Sequence, residues 1–317
     1  DPFYQSHVIQ PIGHNTILVD HDPMSQRTGD HGDYAPGMHD HARIDAFVEG
    51  GGLAFASGDL SPVYLGNART VRRSILHIRP RTALVLDVLE TREGEGSMDA
   101  LFHAASIINV KVDGSTFSVK SGDVTLSGAV VYPQNSVVKV DPDPIVLANY
   151  TDEPMTPPGR ITVTSHSTGG RAMTATLLST DLRLTRSTPS EKGVMVELEG
   201  ARIAINRSGG GFGDNALSTD GFLAAVVADG TVLMAGGTSL TVNGARIVSS
   251  DTPATVLKTG NRFHCSFDRP ATLRIASAAK ISSVAVNGKS SGDWSYDRAA
   301  GTVTIKLSAG DHAIELK

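Results

Sequence analysis

At 317 residues, with 40% hydrophobic and 19% charged residues, the chain is long enough for two domains or for one large β domain with an appendage. Its net charge of -5 gives no basic surface for nucleic acid or anionic lipid. Its longest apolar runs, such as FLAAVVA, fall far short of the roughly 18 residues of a membrane span. The single cysteine, Cys265, excludes an intrachain disulfide and argues against a cysteine-based metal site.

The chain starts DPFYQ, without Met or a signal peptide, so a removed leader or a C-terminal piece of a longer protein is expected. Six of its eleven histidines, His7, His14, His21, His31, His39 and His41, lie in the first 41 residues. Within this stretch NTILVD is a strand candidate. TGDHGDYAPGMHDHAR has no strand period and reads as a loop. Loops at a sheet edge often carry binding residues. This one suits either contact with an acidic sugar, through His39 and His41, or a solvated polar surface. His39 and His41 on a strand lead-in would face one side, which leaves a second, weak metal site open.

Period-two alternation then dominates. Strands are predicted at RIDAFVEG, RTVRRSILHIR, TALVLDVLET, MDALFHAAS, RITVTSHS, RAMTATLLST, VMVELEG, ARIAINRS, FLAAVVAD and TSLTVNGARIV, separated by turn signals such as RPR, EGEG and PPG. Arg69, Arg72, Arg73, Arg79 and Arg81 form the densest basic group. Arg69, Arg73 and Arg79 share one parity, which suits a stripe for uronate carboxylates. The other reading makes the stripe a solvated sheet face, or pairs it with Asp45 and Glu49 on a neighbouring strand. Residues 141–160 are proline-rich and read as a long crossing or exposed loop. SGGGFGDNA follows a strand but precedes no helix, so it reads as a hairpin loop and not as a phosphate cradle. Cys265 alternates with Phe263 and Phe267 and reads as a small buried hydrophobe. Near residue 259 the texture changes to short hairpins. The prediction is all-β: a large antiparallel two-sheet sandwich over residues 1–259 and a small C-terminal β module over 260–317, with less than about a tenth of the chain in helix.

IGHNTILVD, with Gln26 six residues beyond it, resembles a motif of the heparinase II/III-like polysaccharide lyases, which include heparin, heparan sulfate and alginate lyases. RIDAFVEGG with ASGDLSPVY, VRRSILHIRPRTALVLDVLE, DALFHA and the terminal VAVNGK hairpin also look like that family. The resemblance implies β-elimination on a uronic-acid-containing polysaccharide. It implies His14 as one ligand of a divalent metal, zinc first. It also implies a bacterial periplasmic or secreted protein. The family carries an N-terminal α-toroid that supplies most catalytic residues, and a His-x-His-x-Asp segment before the HNT triplet. Neither is found here before His14.

The expectation is therefore the β-sandwich part of a lyase, partnered by an α-toroid domain or chain. It would supply the cleft edge, through His39, His41 and Arg73, and a metal ligand, His14, and would be inactive alone. From the residues without the family, a histidine at the start of a strand is a suitable metal ligand or a backbone hydrogen-bonding group. Asn15 is expected to cap or orient the turn. A non-catalytic carbohydrate-binding or structural β protein is the alternative. A small metal-dependent hydrolase is disfavoured by the lack of a compact ligand motif.

Overall fold

The structure is a computed structural model. It describes residues 11–23, 25–26, 42–64, 68–92, 94–134, 136–142, 156–277 and 279–317. The fold is all-β. Strand makes up 66% of the chain and helix 4%, and the helix consists of short 3-10 turns such as Pro11–Gly13 and Ser61–Tyr64. The chain divides into two compact units, one of residues 1–45, 57–75 and 81–182, the other of residues 46–56, 76–80 and 183–317.

The first strands are β1 (Ile17–Val19), β2 (Arg43–Gly50), β3 (Leu53–Asp59), β4 (Ala68–Ile78), β5 (Thr82–Thr91) and β6 (Ser97–Ala104). β7 (Val110–Asp113), β8 (Thr116–Ser121), β9 (Val124–Tyr132), β10 (Val137–Pro142), β11 (Gly159–His166) and β12 (Arg171–Ser179) follow. They form a four-stranded sheet of order β1-β6-β11-β10 and an eight-stranded sheet of order β2-β3-β4-β5-β12-β9-β8-β7.

In the first unit the two sheets close on each other. Ile17, Val19 and Met98 of the smaller sheet pack with Tyr64, Ala68, Val71, Leu89 and Ala172. Ala100, Ala104, Ile161 and Val163 pack with Val110, Phe117 and Val130. Each large apolar side chain so buried contributes about 1.5–3 kcal/mol. Gly128 stands opposite Phe117, and a Cβ there would lie 2.2 Å from the ring, so the aromatic ring covers the place a side chain would fill.

Alternation along β6 sorts its residues. Met98, Ala100 and Ala104 belong to the core clusters, and Phe102 packs against one of them. Ser97, Asp99, Leu101 and His103 therefore point to the opposite face of the sheet, where the first three are also buried. Across the ladder to β11 they stand opposite His166, Thr164, Thr162 and Arg160 in that order. That face carries Ser97, Asp99 and His103 around the buried Leu101, over about 20 Å at 3.3 Å per residue.

The second unit's strands begin with β13 (Leu184–Ser190), β14 (Gly193–Leu198), β15 (Ala201–Asn206), β16 (Phe212–Gly213), β17 (Leu217–Thr219), β18 (Leu223–Val227) and β19 (Val232–Val242). They continue with β20 (Ala245–Thr259), β21 (Arg262–Phe267), β22 (Ala271–Ala276), β23 (Val284–Val286), β24 (Lys289–Ser290), β25 (Trp294–Asp297), β26 (Thr302–Leu307) and β27 (Gly310–Leu316). All join one 15-stranded sheet. Phe263, Cys265, Phe267, Leu273, Ile275 and Ile305 sit in its core, and burial pushes the Cys265 thiol well above its usual range.

TSLTVNGARIV, read above as one strand, is a hairpin. β19 ends at Val242 and β20 starts at Ala245, with Asn243 at φ +50° and Gly244 at φ +74° between them. An Asn-Gly pair in this conformation is the turn that matches the twist of two antiparallel strands. SGGGFGDNA is the connection between β15 and β17, and its Phe212–Gly213 pairs with β17.

Candidate functional site

The HNT triplet lies between the 3-10 turn and β1, where the chain bends twice. His14 N–H donates to Pro11 O at 3.0 Å and Thr16 N–H to His14 O at 2.9 Å. His14 is exposed. Among the described residues no group of three or more His, Cys, Asp or Glu is placed to hold a metal. His14 thus offers one donor and not a ligand set.

Asn15 does more than orient its own turn. Its Oδ1 accepts from the backbone N–H of His103 at 2.7 Å and lies 3.1 Å from that residue's Nδ1. The His103 Nε2 lies 3.1 Å from Ile12 O. Both ring nitrogens therefore face oxygen acceptors. A protonated imidazole satisfies both and a neutral one only half. Arg160, opposite His103 on β11, lies 3.7 Å from Asp141.

Arg73 arrives from β4 in the facing sheet. Its Nε and Nη2 donate to the two oxygens of Asp87 at 2.6 and 2.8 Å. Its Nη1 donates to Asn15 O at 2.8 Å and Nη2 to Thr16 O at 3.3 Å. The guanidinium also stands 5.7 Å over the Phe102 ring. Arg73 is 15% exposed and Asp87 1%. Burial opposes the Arg73 charge, but the adjoining Asp87 carboxylate outweighs it and holds the guanidinium pKa above its ordinary value. The structure thus places Arg73 as a tie between the sheets at the back of the triplet.

Tyr64 completes the support. It is fully buried, and its hydroxyl donates to Ile17 O and accepts from Gln26 Nε2, which also donates to Thr16 Oγ1 at 2.6 Å. Burial holds the Tyr64 phenol above its usual range. Arg73 and Tyr64 therefore fix the backbone from Asn15 to Ile17, and Gln26 holds the Thr16 side chain.

The other arginines divide. Arg72 pairs with Asp45, and Arg79 with Glu49 at 3.0 Å, the cross-strand pairing named as the second reading above. Arg69 lines an open cavity with Arg92 and Arg171. His39 and His41 lie outside the described residues. His103 was quoted within DALFHA, but nothing in its spacing tied it to Asn15. The sequence signal for its place is its position on the outward parity of β6.

No protein-family model matches the chain, and no curated protein sequence matches it. Solved structures align with it distantly. A heparan sulfate lyase, HepC, from Pedobacter heparinus is 13% identical with a TM-score of 0.42, over 74% of this chain and 29% of that one. A structure of heparinase III is 12% identical with a TM-score of 0.44, over 62% of this chain and 29% of that one. The chain spans about three tenths of the length of these proteins.

Proposed function

We infer that this chain is the β-sandwich part of a polysaccharide lyase that cleaves uronic-acid-containing polysaccharide, of alginate or glycosaminoglycan type, by β-elimination. The observation that carries the reading is the joining of Asn15, in the HNT triplet, to His103 and Arg73 from two other strands, with His14 left exposed beside them.

β-Elimination must neutralise the uronate carboxylate, remove the adjacent proton and protonate the leaving glycosidic oxygen. Arg160, opposite His103, and the exposed His14 are the cationic and hydrogen-bonding groups left near the start of β1, since Arg73 is held by Asp87. That suits the first task. Tyr64 does not suit the other two, since it is buried and committed to Ile17 and Gln26. Proton transfer is assigned to a partner α-toroid domain or chain. His39 and His41 are assigned to the cleft edge, and His14 to one ligand of a divalent metal whose other ligands come from elsewhere.

The test is to measure binding of alginate and of heparan sulfate to the chain by calorimetry, together with the ultraviolet absorbance of unsaturated uronate. Binding without elimination is expected, with affinity reduced at least severalfold in Asn15→Ala and His103→Ala. A chain that binds neither polymer refutes the reading. Robust elimination by the chain alone would put the proton-moving residues inside it. Binding that Asn15→Ala and His103→Ala leave unchanged would favour a carbohydrate-binding β protein using another surface.

A further inference from the structure

A second polar cluster lies at the other end of the outer row of β6. His21 Nδ1 lies 2.7 Å from Asp99 Oδ2, and His21 Nε2 lies 3.3 Å from Ser97 Oγ. Asp99 is 3% exposed, and its other oxygen accepts from Thr164 Oγ1 at 2.7 Å. A carboxylate only accepts, so Nδ1 of the neutral ring carries the proton and Nε2 turns its lone pair towards Ser97. Hydroxyl, imidazole and buried carboxylate in this order are the relation of nucleophile, base and orienting acid.

The local backbone is held in an uncommon form to make this contact. Asp20 and His21 have φ of +53° and +59°, where a residue with a Cβ pays about 1–2 kcal/mol. Asp20 recovers part of that by accepting from Ser97 N–H at 2.7 Å. An open cavity of 380 Å³ adjoins the cluster, lined by Asp20, His21, Glu95, Ser97, His166 and Ser167. His166 stands directly opposite Ser97 on β11. Ser167 Oγ accepts from Gly96 N–H at 2.7 Å and keeps its own proton to donate.

We propose that Ser97, His21 and Asp99 form a second reactive site, a serine acyl-transfer centre that takes a small ester in this cavity. In the first step Ser97 Oγ bonds to the ester carbonyl carbon while its proton passes to His21 Nε2. The negative charge on the carbonyl oxygen is met by the Ser167 hydroxyl. The carbon–oxygen bond to the alcohol then breaks, and Nε2 returns the proton to the departing alcohol. Water, deprotonated by the same nitrogen, releases the acid and restores Ser97. Asp20 already occupies the Ser97 N–H, so the developing charge has one hydroxyl donor in place of a pair of N–H groups. That makes the centre slow and favours esters with good leaving groups. The centre is independent of the uronate reading and stands or falls apart from it.

The experiment treats the full chain with a small alkyl fluorophosphonate, followed by intact-mass and peptide mass spectrometry. One adduct on Ser97 is expected. It should be absent in Ser97→Ala and slowed on the order of 100-fold or more in His21→Ala and His21→Gln, the range for loss of a general base. p-Nitrophenyl acetate turnover should fall to background in Ser97→Ala. Circular dichroism of each variant checks that the sandwich is retained. An unlabelled Ser97 in the folded chain overturns the proposal, as does labelling at the same rate in both His21 variants. Either would leave a purely structural hydrogen-bond cluster.

Discussion

Replacing Arg73 with Met isolates what the tie between the two sheets is worth. The substitution keeps an unbranched apolar stem and removes two charge-assisted bonds to Asp87 and one each to Asn15 O and Thr16 O. Asp87, 1% exposed, would then hold its charge with no cation to answer it. Removing one partner of a buried pair costs about 3–5 kcal/mol, because the survivor stays desolvated. At about 2–4 °C per kcal/mol for a domain of 150–250 residues, the melting temperature should fall by about 6–20 °C. Arg73→Met with Asp87→Leu removes both charges and should recover most of the loss. Arg79→Met breaks an exposed pair with Glu49, with side chains 44% and 53% exposed, and should cost below about 1 kcal/mol. The sign with pH follows from the raised Arg73 pKa. A base whose pKa is raised on folding stabilises at every pH below its unfolded value, so this contribution stays level across pH 5–9 and declines only in strong alkali. Urea titrations followed by circular dichroism measure each variant. A loss below about 1 kcal/mol for Arg73→Met, or a double variant no better than the single, would refute the reasoning.

Tyr64→Phe should cost about 1–3 kcal/mol, since it removes the hydroxyl donor to Ile17 O and one of the two acceptors of Gln26 Nε2 in a closed site. Because the folded phenol is held above its usual range, the unfolded chain loses that proton first. Wild-type stability should therefore be full below about pH 10 and decline above it, and part of that decline should vanish in Tyr64→Phe, as read by urea unfolding at each pH. Gly244→Ala places a Cβ at φ +74° and 2.9 Å from Asn215 Oδ1, so a loss of about 1–2 kcal/mol in urea is expected. An unchanged midpoint would mean that the turn between β19 and β20 adopts another form.

What could be read from the chain depended on how local the cause was. TALVLDVLET matches β5 residue for residue, because a strand covered on both faces announces itself as a continuous apolar run. TSLTVNGARIV misled for the opposite reason: β-branched residues flank the Asn-Gly pair so evenly that the pattern runs through the turn. The candidate site was half legible. The triplet itself stood out, and the pairing read for the arginine stripe holds for Arg79 with Glu49, while Asp45 is paired by Arg72, off the stripe, and Arg73 is paired with Asp87. The partnership of Asn15 with His103 spans 88 positions, and that of His21 with Asp99 spans 78. No period of 2 or 3.6 encodes such pairs. They exist because the ladder β1-β6-β11 sets three segments side by side.

The position of β6 has a consequence for how this molecule tolerates insertion and deletion. Its two-residue period alone keeps Ser97, Asp99, Leu101 and His103 on one face while Met98, Ala100 and Phe102 face the core between the sheets. A slip of one residue exchanges the two sets completely. A single-codon deletion between Ser97 and His103 would turn Asp99 inward, away from Thr164 and His21, and at the same stroke present Phe102 to solvent. Lengthening the β4–β5 connection at Arg79–Arg81 shifts no alternation in β6. Both ends of the row are thus locked to one reading frame of one strand, and neither can drift in length without the other.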